Sequence, residues 1–415
     1  MRIGLIGKKL GHSFSKMIHE KLIDQPYELI ELDEQQLVEF METKAFKAIN
    51  VTIPYKETVM RYCDEIDEQA LAIHAVNAIV NRNGRLIATN TDFTGLMLML
   101  KQHNIVIKDK CCCVLGTGGT SKTAQAVLKA MGAKEILVAG RNKPAPIISY
   151  EALKQHQEIQ VFINATSVGM YPNNDDQIID LADFGQLEAV ADVIYNPLIT
   201  RLCQQAEELK LKHVNGLKML VAQAKAACEF FHDIELDDEK IHQITDEIYK
   251  DMANIVIIGM PSSGKTTLSQ ELAKISDKRL VDIDEEIVRR EQRTIREIFD
   301  TEGEARFREI ETAICKDLAK QTKLIISCGG GIIKNEENMR SLAQNGIIFH
   351  IRRNLDALLV DDSRPLSSSK ERLMAMEKER MPLYQKYSQF EIDNNSTIEA
   401  ALKQIKERFD EVTCN

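Results

Sequence analysis

Two groups of residues have the types and spacing to do chemistry. Gly259-Met260-Pro261-Ser262-Ser263-Gly264-Lys265-Thr266 follows directly on the apolar run Ile255-Val256-Ile257-Ile258, the strand, loop and helix order of a phosphate-binding loop. Gly259 and Gly264 allow the backbone to turn successive N–H groups toward phosphate oxygens, Lys265 neutralises those oxygens, and the Thr266 hydroxyl can ligate magnesium. The second group is Lys56, just past Pro54 at the exit of a strand, and Asp92, where a helix begins. Taken singly, a lysine is a solvated charge and an aspartate at that position is a helix cap. Brought together, each keeps the other ionised, and the pair can give or take a proton at a substrate hydroxyl.

These residues need a scaffold, and the hydrophobic pattern supplies one. Strands at 2–7, 27–31 and 48–52 alternate with helices from about 16 and over 34–41, and Asn83-Gly84 marks a tight hairpin. The loop after the first strand carries Ser13 and Ser15, whose hydroxyls can reach one small polar ligand or cap the next helix. Asn77 offers an amide between Lys56 and Asp92. The apolar strand 111–115 runs into Gly116-Thr117-Gly118-Gly119-Thr120 and a helix to about 131, a dinucleotide-type turn at a helix N-terminus. The following strand ends at Gly140-Arg141-Asn142, where an NAD enzyme usually places an acid; an arginine there pairs with a 2′-phosphate and favours NADP. Strand ends at 161–167 and 189–193 complete a parallel α/β unit over roughly 93–216. A helix over 217–231, with Met219 and Leu220 as core and Gln223 beside them, crosses back to the first unit. A second, about 236–252, leads into the phosphate-loop strand without a Gly-, Ser- or Pro-rich linker, which predicts a stiff joint.

At 415 residues the chain exceeds one ordinary core and reads as two or three domains. Hydrophobic residues make up 44% and charged residues 28%, and no apolar run reaches membrane-spanning length. The first seven residues read as a buried strand instead of a leader, so a cytoplasmic location is expected. Nine cysteines without metal-type spacing fit reduced thiols, with Cys111-Cys112-Cys113 packed in a strand. A net charge of −10 argues against nonspecific nucleic-acid binding.

Beyond the phosphate loop, Asp282-Ile283-Asp284 closes a strand at 279–281. In extended chain both carboxylates face one side, one toward magnesium and one toward a substrate hydroxyl; a helix cap is the ordinary alternative. Arg308 lies early in a charged helix, where a solvated face is the default. Gly329-Gly330-Gly331 follows the strand 323–326, and three glycines there let backbone approach a ligand. Residues 360–369 read as a polar lid carrying Arg364. At Arg380-Met381-Pro382 the chain is expected to leave a helix.

Over 1–250 these motifs resemble the shikimate dehydrogenase family, through Ser13-Phe14-Ser15, Asn50-Val51-Thr52-Ile53-Pro54-Tyr55-Lys56, Asn90-Thr91-Asp92, Gly116-Thr117-Gly118-Gly119, Asn164-Ala165-Thr166-Ser167-Val168-Gly169-Met170, Tyr195-Asn196-Pro197 and Met219-Leu220-Val221-Ala222-Gln223-Ala224. The resemblance implies that Ser13, Ser15, Thr52, Asn77, Asp92, Tyr195 and Gln223 surround shikimate, that Lys56 and Asp92 are catalytic, and that Gly116 to Thr120, Arg141, Val193 and Gly216 hold NADP(H). Lys8 and Lys16 stand where that family commonly has proline, and Gly140-Arg141-Asn142 replaces its usual Asn-Arg-Thr. Residues 253–415 resemble the shikimate kinase family. That resemblance assigns Gly259, Ser262, Ser263, Gly264, Lys265, Thr266, Thr267 and Arg364 to ATP. It gives Thr266 and Asp282 to Mg2+, and Asp284, Arg308, Gly330 and Arg380 to shikimate.

The implied architecture is α/β throughout. A substrate domain (about 1–92 and 217–252) and a Rossmann-type NADP domain (about 93–216) precede a P-loop domain of the nucleoside-monophosphate-kinase type. The implied function is bifunctional: reduction of 3-dehydroshikimate, then ATP-dependent phosphorylation of shikimate, with Lys265, Asp284 and Arg364 serving the second step. Two alternatives remain: a quinate/shikimate dehydrogenase of broader cofactor use fused to a small-molecule kinase, and a non-catalytic ligand-sensing regulator. Oligomeric state is not encoded in any of these motifs.

Overall fold

Short apolar, β-branched runs separated by amphipathic helices give three sheets, taken up one after another along the chain. The structure is a computed structural model and describes residues 2–11, 13–141, 146–355 and 370–412. The first sheet holds β1 (Arg2–Gly7), β2 (Glu28–Glu31), β3 (Phe46–Val51), β4 (Glu65–Ile66), β5 (Ala78–Arg82) and β6 (Arg85–Thr89), in the order β2-β1-β3-β5-β6-β4. Its β2-β1-β3 part is parallel, and β5 and β6 form an antiparallel hairpin. Asn83 and Gly84 turn that hairpin with positive φ, as a tight Asn-Gly turn requires.

The second sheet is wholly parallel: β7 (Cys111–Leu115), β8 (Glu135–Ala139), β9 (Val161–Asn164), β10 (Ala189–Asp192) and β11 (Lys212–Val214), in the order β11-β10-β9-β7-β8. Parallel strands covered on both faces read as continuous apolar runs, and β7, β9 and β10 are buried at every position. The three cysteines of β7 divide between those faces, Cys112 on one and Cys111 with Cys113 on the other, so they pack.

The third sheet is also parallel: β12 (Asn254–Gly259), β13 (Arg279–Asp282), β14 (Leu324–Ser327), β15 (Gly346–Arg352) and β16 (Phe390–Asp393), in the order β13-β14-β12-β15-β16. The loops after β12 and β14 therefore emerge side by side at one end, where ligands of such sheets bind.

Helices Thr91–Gln102 and Leu217–His232 pack closely; a Cβ on Gly95 would stand 2.8 Å from the Met219 carbonyl oxygen. The second of them returns Ala227 and Phe231 to the first sheet. Helix Glu239–Met252 ends two residues before β12 begins, and one apolar cluster runs unbroken from Leu217 and Val221 through Ile241, Ile244 and Ile248 to Ile255, Ile257, Leu268 and Ile405. Lys278 Nζ donates to the carbonyls of Lys250 (2.8 Å), Asp251 (3.2 Å) and Ala253 (2.8 Å), satisfying oxygens that a helix C-terminus leaves unpaired. No helix among the described residues is long and apolar enough to cross a membrane.

Two local expectations fail. Helix Lys370–Tyr387 continues through Pro382; burial of Leu373, Met376 and Tyr384 in the third domain's core overrides the missing N–H. Asp282-Ile283-Asp284 is not extended, because helix Ile283–Glu291 starts immediately after Asp282.

Candidate active sites

In the first half the helix Thr91–Gln102 is held at its start from two directions. Asn90 Oδ1 accepts the Asp92 N–H at 3.1 Å, and Asn77 Oδ1 accepts the Thr91 N–H at 2.7 Å. That start aims the Asp92 carboxylate at Lys56, whose Nζ donates to Asp92 Oδ2 at 2.5 Å. The lysine loop is itself fixed, since the Lys56 carbonyl accepts from Val76 N at 3.0 Å and Tyr55 OH donates to the Leu32 carbonyl at 2.6 Å. The side chains are 25% and 16% exposed, so the pair is partly open to water.

The other residues assigned to substrate make small groups of their own, of which Asn77 and Gln223 lie next to Asp92 through Thr91. Thr52 lies against the loop after β1, its methyl 2.7 Å from where a Cβ on Gly7 would stand. Gln223 Oε1 is 3.5 Å from Thr91 Oγ1, next to Asp92. Tyr195 is edge-on to Phe14 at 6.0 Å, and burial pushes its phenol pKa up. Ser13 Oγ accepts the Ser15 N–H at 3.2 Å, but the helix N-cap is Phe14 with no side-chain cap bond, so the capping use expected of these serines is not realised.

The nucleotide residues gather at the carboxyl ends of β7 to β10. Gly118 caps helix Gly119–Ala130, with Thr120 in its first turn, and a Cβ built on Gly118 or Gly119 meets nothing within 4 Å. Thr117 and Arg141 are exposed, the latter just past β8. Bare backbone N–H groups at a helix start, with a cation nearby, fit a phosphorylated dinucleotide. Gly216 is required by contact: a Cβ there would lie 2.0 Å from the Val193 carbonyl oxygen. Beneath Val193, Asp192 is fully buried and accepts from Asn164 Nδ2 (3.0 Å), Ile194 N (3.0 Å) and Thr200 Oγ1 (2.7 Å). Burial pushes its carboxyl up to about 6.

In the second half, the phosphate loop turns through Ser262 and Gly264 at positive φ. Lys265 is buried and donates to the carbonyls of Gly259 (3.0 Å) and Met260 (2.8 Å). Ser263 is buried with its hydroxyl unpartnered, while Thr266 and Thr267 face outward on the first helical turn. Asp282 Oδ1 caps the next helix through Asp284 N (3.0 Å) and Glu285 N (3.4 Å), and its Oδ2 accepts from Ser327 Oγ (2.8 Å). The two carboxylates are thus placed by a cap and a first turn, not by strand alternation. One carboxylate and a hydroxyl, both oxygen donors, suit a magnesium that completes its shell with phosphate and water.

The glycine loop after β14 joins the remaining residues. A Cβ on Gly329 would sit 3.1 Å from Asp284 Oδ1, and one on Gly331 would sit 2.8 Å from Arg308 Nη2. The Gly330 carbonyl accepts from Arg380 Nη1 (2.8 Å) and Tyr384 OH (2.7 Å), and the same glycine backs onto Pro261 of the phosphate loop. Asp284, Arg308, Gly330 and Arg380, scattered over a hundred positions of chain, therefore meet beside Lys265. Arg364 lies outside the described residues.

Sequence reasoning missed the supports. Glu311, buried, accepts from Arg308 Nη1 at 2.9 Å. Tyr384, whose hydroxyl burial pushes up to about 12, shares the Gly330 carbonyl with Arg380. Their helical spacings, three from Arg308 and four from Arg380, were the available signal. Lys122, in the dinucleotide helix, donates to Glu57 beside Lys56 at 2.8 Å, and nothing in the sequence pointed to that pair.

Comparison with known proteins bears on both halves of the chain. Residues 5–79 match the family model described as the shikimate dehydrogenase substrate binding domain, and residues 261–410 match the shikimate kinase model. The shikimate dehydrogenase (NADP(+)) of Caldicellulosiruptor bescii is 38% identical over 258 residues, 56% of this chain and 90% of that protein. The Clostridium perfringens protein of the same name is 35% identical, covering 59% of this chain and 97% of the relative. Among solved structures, a chorismate mutase/shikimate 5-dehydrogenase fusion protein from Clostridium acetobutylicum is 35% identical with a TM-score of 0.55, covering 59% of this chain and 96% of that one. Shikimate 5-dehydrogenase from Listeria monocytogenes, solved in complex with shikimate and NAD, is 28% identical with a TM-score of 0.53, covering 59% and 96%. The chain belongs to the shikimate dehydrogenase family, and the same polypeptide carries a shikimate kinase domain.

Proposed function

We propose that this chain carries out two successive steps of the shikimate pathway: reduction of 3-dehydroshikimate in residues 1–252, then phosphorylation of the resulting shikimate in residues 253–415. Within the first part, about 1–92 and 217–252 hold the substrate and about 93–216 hold the dinucleotide. The observation that carries the reading is the 2.5 Å contact between Lys56 and Asp92, residues that separate elements bring together.

When bound, NADPH supplies hydride, and ATP with magnesium supplies the transferable phosphoryl group. The chain's own side chains do the rest. Lys56, held by Asp92, gives a proton to the ring oxygen as its carbonyl is reduced. Ser13, Ser15, Thr52, Asn77, Tyr195 and Gln223 orient the ring, while Gly116 to Thr120, Arg141, Val193 and Gly216 hold the dinucleotide. In the kinase, Arg308 and Arg380 fork the substrate carboxylate, with Gly330 between them, and Asp284 accepts from the reacting hydroxyl. Gly259, Ser262, Ser263, Gly264, Thr266 and Thr267 cradle the phosphates, Lys265 offsets charge that builds on them, and Thr266 with Asp282 hold the magnesium.

The test is a single vessel with 3-dehydroshikimate, NADPH, magnesium and ATP, following NADPH oxidation and ADP release separately. ADP should form only when NADPH is present, and added shikimate should remove that requirement. ADP release without NADPH, or no release from either substrate, would overturn the reading. Use of NAD is a second possibility, supported by the Listeria relative solved with shikimate and NAD. Initial rates with NADP and NAD, on shikimate and quinate, separate the two.

A further inference from the structure

The two halves meet through a set of polar contacts unlike the apolar core beside them. Arg201, buried at the start of helix Arg201–Glu208, donates through Nη2 to Asp175 Oδ1 (3.0 Å), Glu337 Oε1 (2.7 Å) and Ser341 Oγ (3.3 Å). Glu337 and Ser341 belong to helix Glu336–Ala343 of the kinase. Lys316, on the helix that carries Arg308, joins the same cluster, 3.4 Å from Glu337 and 3.7 Å from Asp175. Two cations and two carboxylates thus tie the dehydrogenase loop and helix to both kinase helices. Backbone contacts reinforce the tie: Ile199 N donates to the Gln344 carbonyl at 2.9 Å, and Leu198 N to Asn345 Oδ1 at 2.9 Å.

Helix Glu336–Ala343 also reaches the kinase site. Asn338, fully buried, donates through Nδ2 to Glu311 Oε2 at 3.4 Å, the same oxygen that accepts from Arg308 Nη1 at 2.9 Å. One helix therefore touches Arg201 through Glu337 and Ser341, and the Arg308–Glu311 pair through Asn338. Met339 and Leu342 pack this eight-residue helix into the kinase core, and the polar contacts add direction to that packing. Arg308 is held from two sides, by exposed Glu304 (3.0 Å from Nη2) and by buried Glu311, and of the two it is Glu311 whose placement depends on few polar partners.

We propose that Arg201, a residue of the dehydrogenase half, is a positioning residue for the kinase. It anchors helix Glu336–Ala343 and, through Asn338 and Glu311, sets the Arg308 guanidinium against the glycine loop. The proposal rests on the reading that Arg308 binds the shikimate carboxylate. It makes the acceptor affinity of the kinase depend on a side chain some hundred residues upstream, in a different catalytic unit.

The test uses the full chain with Arg201→Met, Arg201→Lys and Glu337→Gln, assayed with shikimate and ATP. Arg201→Met should raise KM for shikimate about tenfold, as contacts in one network couple, with KM for ATP and kcat within about twofold. Arg201→Lys should recover part of that loss, and Glu337→Gln should shift KM the same way. The double variant should be no worse than Arg201→Met alone, because the two residues share one contact. An unchanged shikimate KM in a folded variant, or an equal loss in both KM values and kcat, would overturn the proposal. If Arg201→Met does not fold, Glu337→Gln decides by the same criterion. Arg308→Met is the control: a shikimate KM unmoved there would sink the reading beneath the proposal and the proposal with it, whereas a raised KM there with none at Arg201 sinks the linkage alone.

Discussion

The lysine of the first site and two cations of the second are held by different kinds of partner, while Arg308 of the second leans on a carboxylate as Lys56 does. In the dehydrogenase, Lys56 is held by a side chain, the Asp92 carboxylate, and the pair is partly open to water. In the kinase, Lys265 and Arg380 are buried and held by main-chain carbonyls of Gly259, Met260 and Gly330. A carboxylate partner can take part in proton transfer. A main-chain carbonyl fixes direction without exchanging a proton, which suits a site that must meet phosphate. The difference also predicts that chemistry and stability are separable in the first site and entangled in the second.

The largest test is Lys56→Ala, which should lower the rate of 3-dehydroshikimate reduction by about 10^2- to 10^4-fold. Phosphorylation of added shikimate should stay within about twofold, and the denaturant midpoint should barely move, because partly exposed pairs contribute about 0–1 kcal/mol. Next, Lys265→Ala should cut kinase kcat by about 10^2- to 10^3-fold and should also lower stability by about 1–3 kcal/mol, since two buried carbonyls lose their donor. A greater loss of stability from Lys56→Ala than from Lys265→Ala would break the comparison. A third variant, Gly216→Ala, forces a methyl against the Val193 carbonyl and should cost about 1–3 kcal/mol; a raised KM for NADPH with an unchanged KM for ATP would place the strain in the dinucleotide site. The smallest effect is a pH slope. Burial raises Asp192 from 3.8 to about 6, so between those values the folded chain binds its proton more tightly than the unfolded chain does. Its stabilising contribution is complete below about pH 4 and is lost as pH rises to about 6, by up to about 3 kcal/mol. Unfolding titrations of the wild type and Asp192→Asn should differ by that slope, and parallel curves would remove the assignment.

What could be read directly from the chain was whatever depends on local order. The run Ile255 to Ile258 before a glycine loop and lysine is the core of β12 and its following helix, and the tight Asn83-Gly84 hairpin appears where its turn chemistry placed it. The convergence of Lys56 with Asp92 was legible only as a possibility of spacing, because thirty-six positions separate them. The Asp282 to Asp284 geometry was misread since a strand end and a helix cap look alike until the cap's acceptors are known; here Asp282 takes the N–H groups of Asp284 and Glu285. Pro382 argued locally for a helix end, and buried Met376 and Tyr384 outweighed it. Supports such as Glu311 and Lys122 carry no motif, because any charged residue on a helix reads as a solvent face.

The joint at Met252 to Asn254, with its shared apolar cluster and Lys278 clasping three carbonyls, has a practical meaning. A gene cut there would leave one fragment with the Ile241, Ile244 and Ile248 stripe bare and the other with the Ile255 and Ile257 face of β12 less covered, so both would be sticky. Dissection of this polypeptide into separately purified parts should therefore be attempted with both fragments produced in one cell, where they can find each other before they clump.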